Sequence, residues 1–272
     1  MCTATLRASA DDHLADDLGH LSYVVSGDGP PSCRARRCRR PHVGRGRPRP
    51  RRAPHGHPVR PARLRRVRTP VGPFSETDDL RRLLDHLGHE RVRLVGASWG
   101  GRVAVEFTLT HPERVHSLAL LAPPWPGYHW SADMIAYDEA ETAALAAGDL
   151  DTAVRVNLDM WLRGPARTWD DVAAGLADRL RGPVRTSLVN QAAVGEHSRG
   201  ATARDVAAVS VPTLVGIGRL DVADFQDIAR RYAGEIPGAT LVEFATAGHL
   251  IALDAPAELA AALEPFLAGR PG

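Results

Sequence analysis

The sequence predicts an α/β fold, a doubly wound and mostly parallel sheet interrupted by an all-helical insertion, and three observations predict it. Short apolar runs of strand length at 92–96, 115–121, 211–217 and 240–244 are linked by helical patterns, the spacing of strand–helix–strand crossovers. Residues 126 to about 204 hold helical patterns alone. The 272 residues, 44% of them apolar, suffice for one large core with an insertion.

In chain order, 21–25 (LSYVV) reads as a strand and Ser26-Gly27-Asp28-Gly29-Pro30 as the turn after it. Ser75 or Thr77 is placed to cap a helix whose Leu80, Leu83, Leu84 and Leu87 share one face and which Gly88 stops. The strand at 92–96 feeds directly into a helix at about 99–109, and the strand at 115–121 follows. Within the insertion, helices are expected at 134–147, 152–162 and 170–180, separated by Gly148 and by Gly164-Pro165. After the strands at 211–217 and 240–244, a last helix places Leu259, Leu263 and Phe266 at i, i+4 and i+7. Asp224 reads as the cap of a helix starting near Phe225. Asp254 reads as the N-cap of the last helix, with Pro256 in its first turn. The expected organisation is N-terminal core strands in 1–31, an arginine-rich segment in 32–68, core in 69–125, a helical cap in 126–204 and core again in 205–272.

All 34 basic residues are arginine, and 15 of them fall in residues 31–70 beside no Asp or Glu, leaving 19 against 32 acids elsewhere, a net of −13. Segment 32–68 shows neither period 2 nor period 3.6 and is expected to be disordered, with the early central strands missing or disordered too. Its arginines could grip phosphates, and Cys33, Cys38, His42 and His55 could be offered to zinc. A nucleic-acid arm usually sits at a terminus or on a helix, however, and the Cys-x4-Cys spacing lacks a second ordered pair. Neither nucleic acid nor a metal is therefore the expected partner. No apolar run approaches the roughly 20 residues that cross a bilayer. The start MCTATLRASADD lacks a signal-peptide pattern, and three cysteines make no disulfide framework, so a cytoplasmic protein without a membrane partner is expected.

The chemistry concentrates at Gly96-Ala97-Ser98-Trp99-Gly100, a G-x-S-x-G match set between a buried strand and a helix. At such an elbow the serine backbone is strained and its hydroxyl stands above the sheet edge. Glycines two residues to either side are expected because strand and helix pass too close for a Cβ. The helix N-terminus offers the Trp99 N–H and a favourable dipole to a developing oxyanion. A serine hydroxyl needs a base, and the base needs an orienting group. Asp221 follows the strand at 211–217 and His249 follows the strand at 240–244, so both fall on the sheet edge that holds Ser98. The chain order Ser, Asp, His is that of a nucleophile-elbow hydrolase. Trp125, Tyr128, Trp130 and Trp161 are candidates for an apolar substrate wall.

These stretches carry a resemblance. Together with GPFSETDDLRRLLDHLG and HPERVHSLALLAPP, the segments LVGASWGGRVAVEF, VPTLVGIGRLDVADF and ATAGHLIALDAPAELAAAL resemble the α/β-hydrolase family over about three quarters of the chain. The resemblance implies the α/β-hydrolase fold with a helical cap. It also implies esterase- or lactonase-like cleavage of a small-molecule acyl substrate through Ser98, Asp221 and His249, with no metal or organic cofactor. Epoxide and haloalkane hydrolases of this fold carry an aspartate at the elbow, and Ser98 argues against both.

Residues 32–68 depart from the family pattern as if frame-shifted. Family members run here into an apolar strand ending in His-Gly, whose loop supplies a second oxyanion N–H, and later into a Tyr-Asp-Leu-Arg-like stretch. His55-Gly56 is present, but no apolar strand precedes it. With codons GTA-CGA-CCT-GCG chosen for Val59-Arg60-Pro61-Ala62, dropping the first base yields Tyr-Asp-Leu and the start of an arginine codon. Loss of one oxyanion donor costs serine hydrolases roughly 10²–10³ in turnover. The alternatives to an active hydrolase are thus an inactive remnant of the fold or an arginine-rich nucleic-acid-binding protein on its scaffold.

Overall fold

The computed structural model describes residues 75–193 and 205–269. The strand expected at 21–25, the segment 32–68, the second oxyanion loop and the possible zinc ligands Cys33, Cys38, His42 and His55 lie outside the described residues.

Helix α1 (Glu76–His86) starts where the Ser75 hydroxyl accepts the Asp78 N–H at 3.2 Å, and three acids in its first turn favour the positive end of its dipole. Strand β1 (Val92–Ala97), helix α2 (Trp99–Thr110) and strand β2 (Val115–Leu121) follow. After the insertion come β3 (Thr213–Gly218) and β4 (Thr240–Phe244), and the four strands pair in parallel in the order β1-β2-β3-β4. Strand β3 starts at Thr213, two residues later than expected. Pro212 has no N–H for the ladder, and only its carbonyl is used, accepting the Leu118 N–H at 2.9 Å.

Alternation along the strands divides the core. Leu118, Leu120, Val215 and Ile217 pack with α2 and with the helix that joins β3 to β4 (Ala223–Glu235). Leu121, Val242 and Phe244 pack on the opposite side with Ile251 and Leu259, which belong to the short helix Ile251–Asp254 and the C-terminal helix Pro256–Leu267. Helices therefore cover both faces of the sheet, which is the doubly wound arrangement. Phe107 and Tyr232 are fully buried, and truncating such a ring to alanine costs roughly 3–5 kcal/mol.

Residues between β2 and β3 build helices around a cluster of their own, including Ala153, Val154, Leu158, Leu162 and Leu188. In chain order these are α3 (Ala132–Ala146), α4 (Leu150–Asn157), a π-helical segment Leu158–Arg163 that prolongs α4, and α5 (Leu176–Ala193). The helices after β3 become α6 (Ala223–Glu235), α7 (Ile251–Asp254) and α8 (Pro256–Leu267). The helix expected at 170–180 is not a single element. A capping box between Thr168 and Asp171 closes a short 3₁₀ turn, Gly175 takes φ +72°, and α5 then runs through Pro183. Burial of Leu176 and Leu188 in the insertion core outweighs the local signal of Gly182-Pro183 to stop the helix.

Two expected caps are also corrected. The N-cap of α6 is Val222, so Asp224 lies inside the first turn. Its carboxylate accepts the Ser131 N–H at 2.8 Å and the Ser131 hydroxyl at 2.7 Å, tying the start of α3 to the core. Asp254 ends α7, and the N-cap of α8 is Ala255. The Asp254 carboxylate reaches back to the Gly248 N–H at 2.8 Å instead. Among the described residues no helix is long and apolar enough to cross a membrane.

Candidate active site

Strand β1 passes into α2 through the single residue Ser98, at φ 49° and ψ −124°. Such a backbone costs a residue with a side chain of order 1–3 kcal/mol, and the packing around it enforces it. A Cβ on Gly96 would stand 2.4 Å from the Gly100 carbonyl oxygen, so strand and helix meet without room for a side chain. The second glycine that the turn requires is Gly101, whose Cβ would stand 2.9 Å from Pro123. Gly100 was the expected partner, yet among the described residues nothing lies within 4 Å of a Cβ there, because that position points away from the strand. The Ser98 N–H donates to the Leu121 carbonyl at 2.8 Å, which fixes the elbow to the end of β2. Trp99 is the first residue of α2, at the positive end of its dipole. Its indole N–H donates to Glu76 at 2.7 Å.

Asp221 lies just beyond β3 and is 3% exposed. One carboxylate oxygen accepts the Val222 N–H at 2.7 Å, and the other lies 2.9 Å from His249 Nδ1. Nε2 of the same imidazole lies 3.0 Å from Ser98 Oγ. His249 follows β4, three strand spacings or about 14 Å from β1 across the sheet. Its loop covers that distance by turning back over the end of β3. A Cβ on Gly218 would fall 2.3 Å from the carbonyl oxygens of both Ala247 and Gly248. The Arg219 and Leu220 N–H groups pin the crossing, donating to Phe244 and Ala247 at 2.9 Å.

The imidazole is held face and edge by Trp161 and Phe225, at ring separations of 4.5 and 4.6 Å. Both rings line a cleft of about 900 Å³ that opens over Ser98 and is walled further by Trp130, Met134, Ile135 and Pro124. Of the four aromatic residues expected to wall a substrate, the structure puts Trp130 and Trp161 on this cleft. Trp125 is buried against Tyr232 at 4.5 Å with the Arg231 guanidinium 4.0 Å above it, and Tyr128 rests edge-on against Trp130. Neither lines the cleft, because each is held by neighbouring rings of the core. Phe225 was not foreseen, although its place four residues after Asp221 in the turn opening α6 puts it on the same edge.

A polar chain fixes Trp161. Its indole N–H donates to the Tyr137 hydroxyl at 2.9 Å, that hydroxyl donates to Glu141 at 2.6 Å, and Asn157 also donates to Glu141. Burial first, and the Glu141 bond second, push the Tyr137 hydroxyl well above the ordinary phenol range, so it stays a neutral donor. Nothing local in the sequence marks these four residues, which span α3, α4 and the π-helical segment.

The chain shares sequence or shape with several known proteins. A 43-residue stretch is 58% identical to a homoserine O-acetyltransferase of Thermus thermophilus and covers 16% of this chain and 11% of that protein. A haloalkane dehalogenase of Mycobacterium tuberculosis is 28% identical over 193 residues, covering 66% of this chain and 65% of the dehalogenase. The chain thus spans about a tenth of the first relative and just under two thirds of the second. The crystal structure of a hydrolase from Pseudomonas aeruginosa superimposes with a TM-score of 0.57 at 27% identity, covering 73% of this chain and 74% of that one. Residues 73–256 match the model of the alpha/beta hydrolase fold family. That match takes in well over half of the residues, and the chain belongs to the α/β-hydrolase family.

Proposed function

We propose that this protein is a serine hydrolase that cleaves a carboxylic ester, a lactone or a similar acyl bond through an acyl-enzyme intermediate. The observation that carries the reading is the unbroken chain from Ser98 Oγ to His249 Nε2 at 3.0 Å and from His249 Nδ1 to Asp221 at 2.9 Å. Asp221 holds the Nδ1–H tautomer, which leaves Nε2 free to accept the Ser98 proton as Oγ attacks the substrate carbonyl. The tetrahedral oxyanion forms at the N-terminus of α2, where the Trp99 N–H is the donor assigned to it. His249 then gives its proton to the leaving alkoxide, and water, deprotonated by the same imidazole, releases the acid. A serine at the elbow favours attack on an acyl carbon over the displacement of halide named for the mycobacterial relative. The insertion helices serve as a cap, with Trp130, Trp161 and Phe225 the apolar wall for the acyl group.

The direct test is turnover of a p-nitrophenyl ester together with labelling by a fluorophosphonate. The expected adduct is one phosphonyl group on Ser98, located by mass spectrometry. An adduct elsewhere, or labelling that His249→Ala leaves unslowed, would refute the mechanism.

The crossing over β3 gives a further expected result. A methyl group on Gly218 must displace the Ala247 and Gly248 carbonyls, and His249 moves with them. Gly218→Ala should lower turnover about 10²-fold, the loss that a misplacement of roughly 1 Å brings to a reacting group. Circular dichroism should show the helices retained. Wild-type turnover in that variant would mean that the loop is not held by the crossing.

A further inference from the structure

We infer that Arg167 is a positioning residue for His249, acting through Asp254 and the Gly248 N–H. The inference rests on the serine-hydrolase reading above and adds to it how the insertion helices govern the base. The Arg167 side chain is 7% exposed and its donors are committed in three directions. Nε donates to the Arg163 carbonyl at 2.8 Å, Nη2 to the Leu162 carbonyl at 2.6 Å, and Nη1 lies 3.0 Å from the Asp254 carboxylate. The carboxylate oxygen that meets Nη1 also accepts the Gly248 N–H at 2.8 Å. The guanidinium lies directly on that backbone, since a Cβ on Gly248 would stand 2.6 Å from Nη2.

The segment that carries Trp161 and the backbone that precedes His249 are thereby joined at one group. Leu162 and Arg163 end the π-helical segment that carries Trp161, whose ring lies 4.5 Å from the His249 ring. Gly248 is the residue before His249. A planar fork with several fixed donors can set the distance between these two backbones, which a point charge on a flexible stem cannot. Arg167 is not among the residues lining the cleft, so its effect is on the base and not on substrate contact. Neither Arg167 nor Asp254 belongs to the Ser98–His249–Asp221 relay. Their burial needs another reason, because a buried ion pair is seldom a net gain in stability over apolar packing.

The test compares Arg167→Met, Arg167→Lys and the double variant Arg167→Met/Asp254→Asn, all in the full chain. The single Met variant leaves a buried carboxylate without its cation. The double variant removes both charges, keeps an acceptor for Gly248, and carries the test if the single one does not fold. The expected result is a fall in kcat of about tenfold or more with KM changed by less than about threefold, and partial recovery in Arg167→Lys. The second readout is the far-downfield proton resonance of the His249–Asp221 hydrogen bond, expected to shift or broaden in the Met variants. Wild-type kcat and an unmoved resonance in a folded variant would overturn the inference, as would a rise in KM at constant kcat. If the wild type cleaves no ester but its resonance moves in the variants, the positioning role stands and the hydrolase reading falls.

Discussion

Ser98→Ala is expected to remove ester hydrolysis almost entirely, a loss of about 10⁶-fold in kcat by analogy with other serine hydrolases that lose their nucleophile. The substitution deletes one oxygen, the atom 3.0 Å from His249 Nε2. It leaves the Ser98 N–H bond to Leu121 and the turn into α2 available. Alanine at φ 49° is strained about as serine is, so a thermal midpoint close to that of the wild type is expected. A residual rate, above that in water alone, should persist from oxyanion stabilisation and binding. Steady-state hydrolysis of a p-nitrophenyl ester measures both outcomes. Activity retained within about tenfold of wild type would mean that the nucleophile is not Ser98.

Asp221→Asn should cost about 10⁴-fold in kcat with little change in KM. The geometry says why. One Asp221 oxygen already accepts the Val222 N–H, so an asparagine keeps its carbonyl there and turns its NH₂ toward His249 Nδ1. A donor at that place forces the opposite tautomer. Nε2 then carries a proton and cannot take one from Ser98. Asp224→Asn is the control, three residues on and equally buried. Its carboxylate holds Ser131, so the expected effect is a lower thermal midpoint, from about 1–3 kcal/mol of lost charge-assisted bonding, with kcat within tenfold. Equal losses of kcat from the two variants would mean that the orienting acid has been misassigned.

The contrast between those two aspartates shows what the sequence made legible. Asp221 and His249 could be read because each follows a strand, and strand ends of a parallel sheet share one edge. Periodicity, the G-x-S-x-G pattern and the chain order Ser, Asp, His put all three on one sheet edge as candidates. Asp224 and Asp254 were misread as caps because capping is a local rule, while their carboxylates are used across 93 and 6 residues of sequence. Trp125 and Trp161 look alike in sequence. Only packing separates a ring set against Tyr232 and Arg231 from one set against the imidazole. Helix α5 runs past the end expected at 180 because the buried Leu188 beyond Gly182-Pro183 outweighs the local signal of that pair to stop.

The return of the His249 loop over β3 makes chain length a ruler. Residues 245–249 leave β4, cross Gly218 and deliver an imidazole to within 3.0 Å of a hydroxyl seated at β1. One added or deleted residue there would swing the ring off its line, much as a gear skips a tooth. The connection from α6 to β4 at 236–239 delivers no relay residue, and its Ile236 is instead buried in the core. Met134 and Ile135 of the cleft wall, by contrast, lie on α3, which supplies none of the three relay residues. Selection at those two positions could therefore retune what the cleft admits while leaving the reach of the imidazole as inherited.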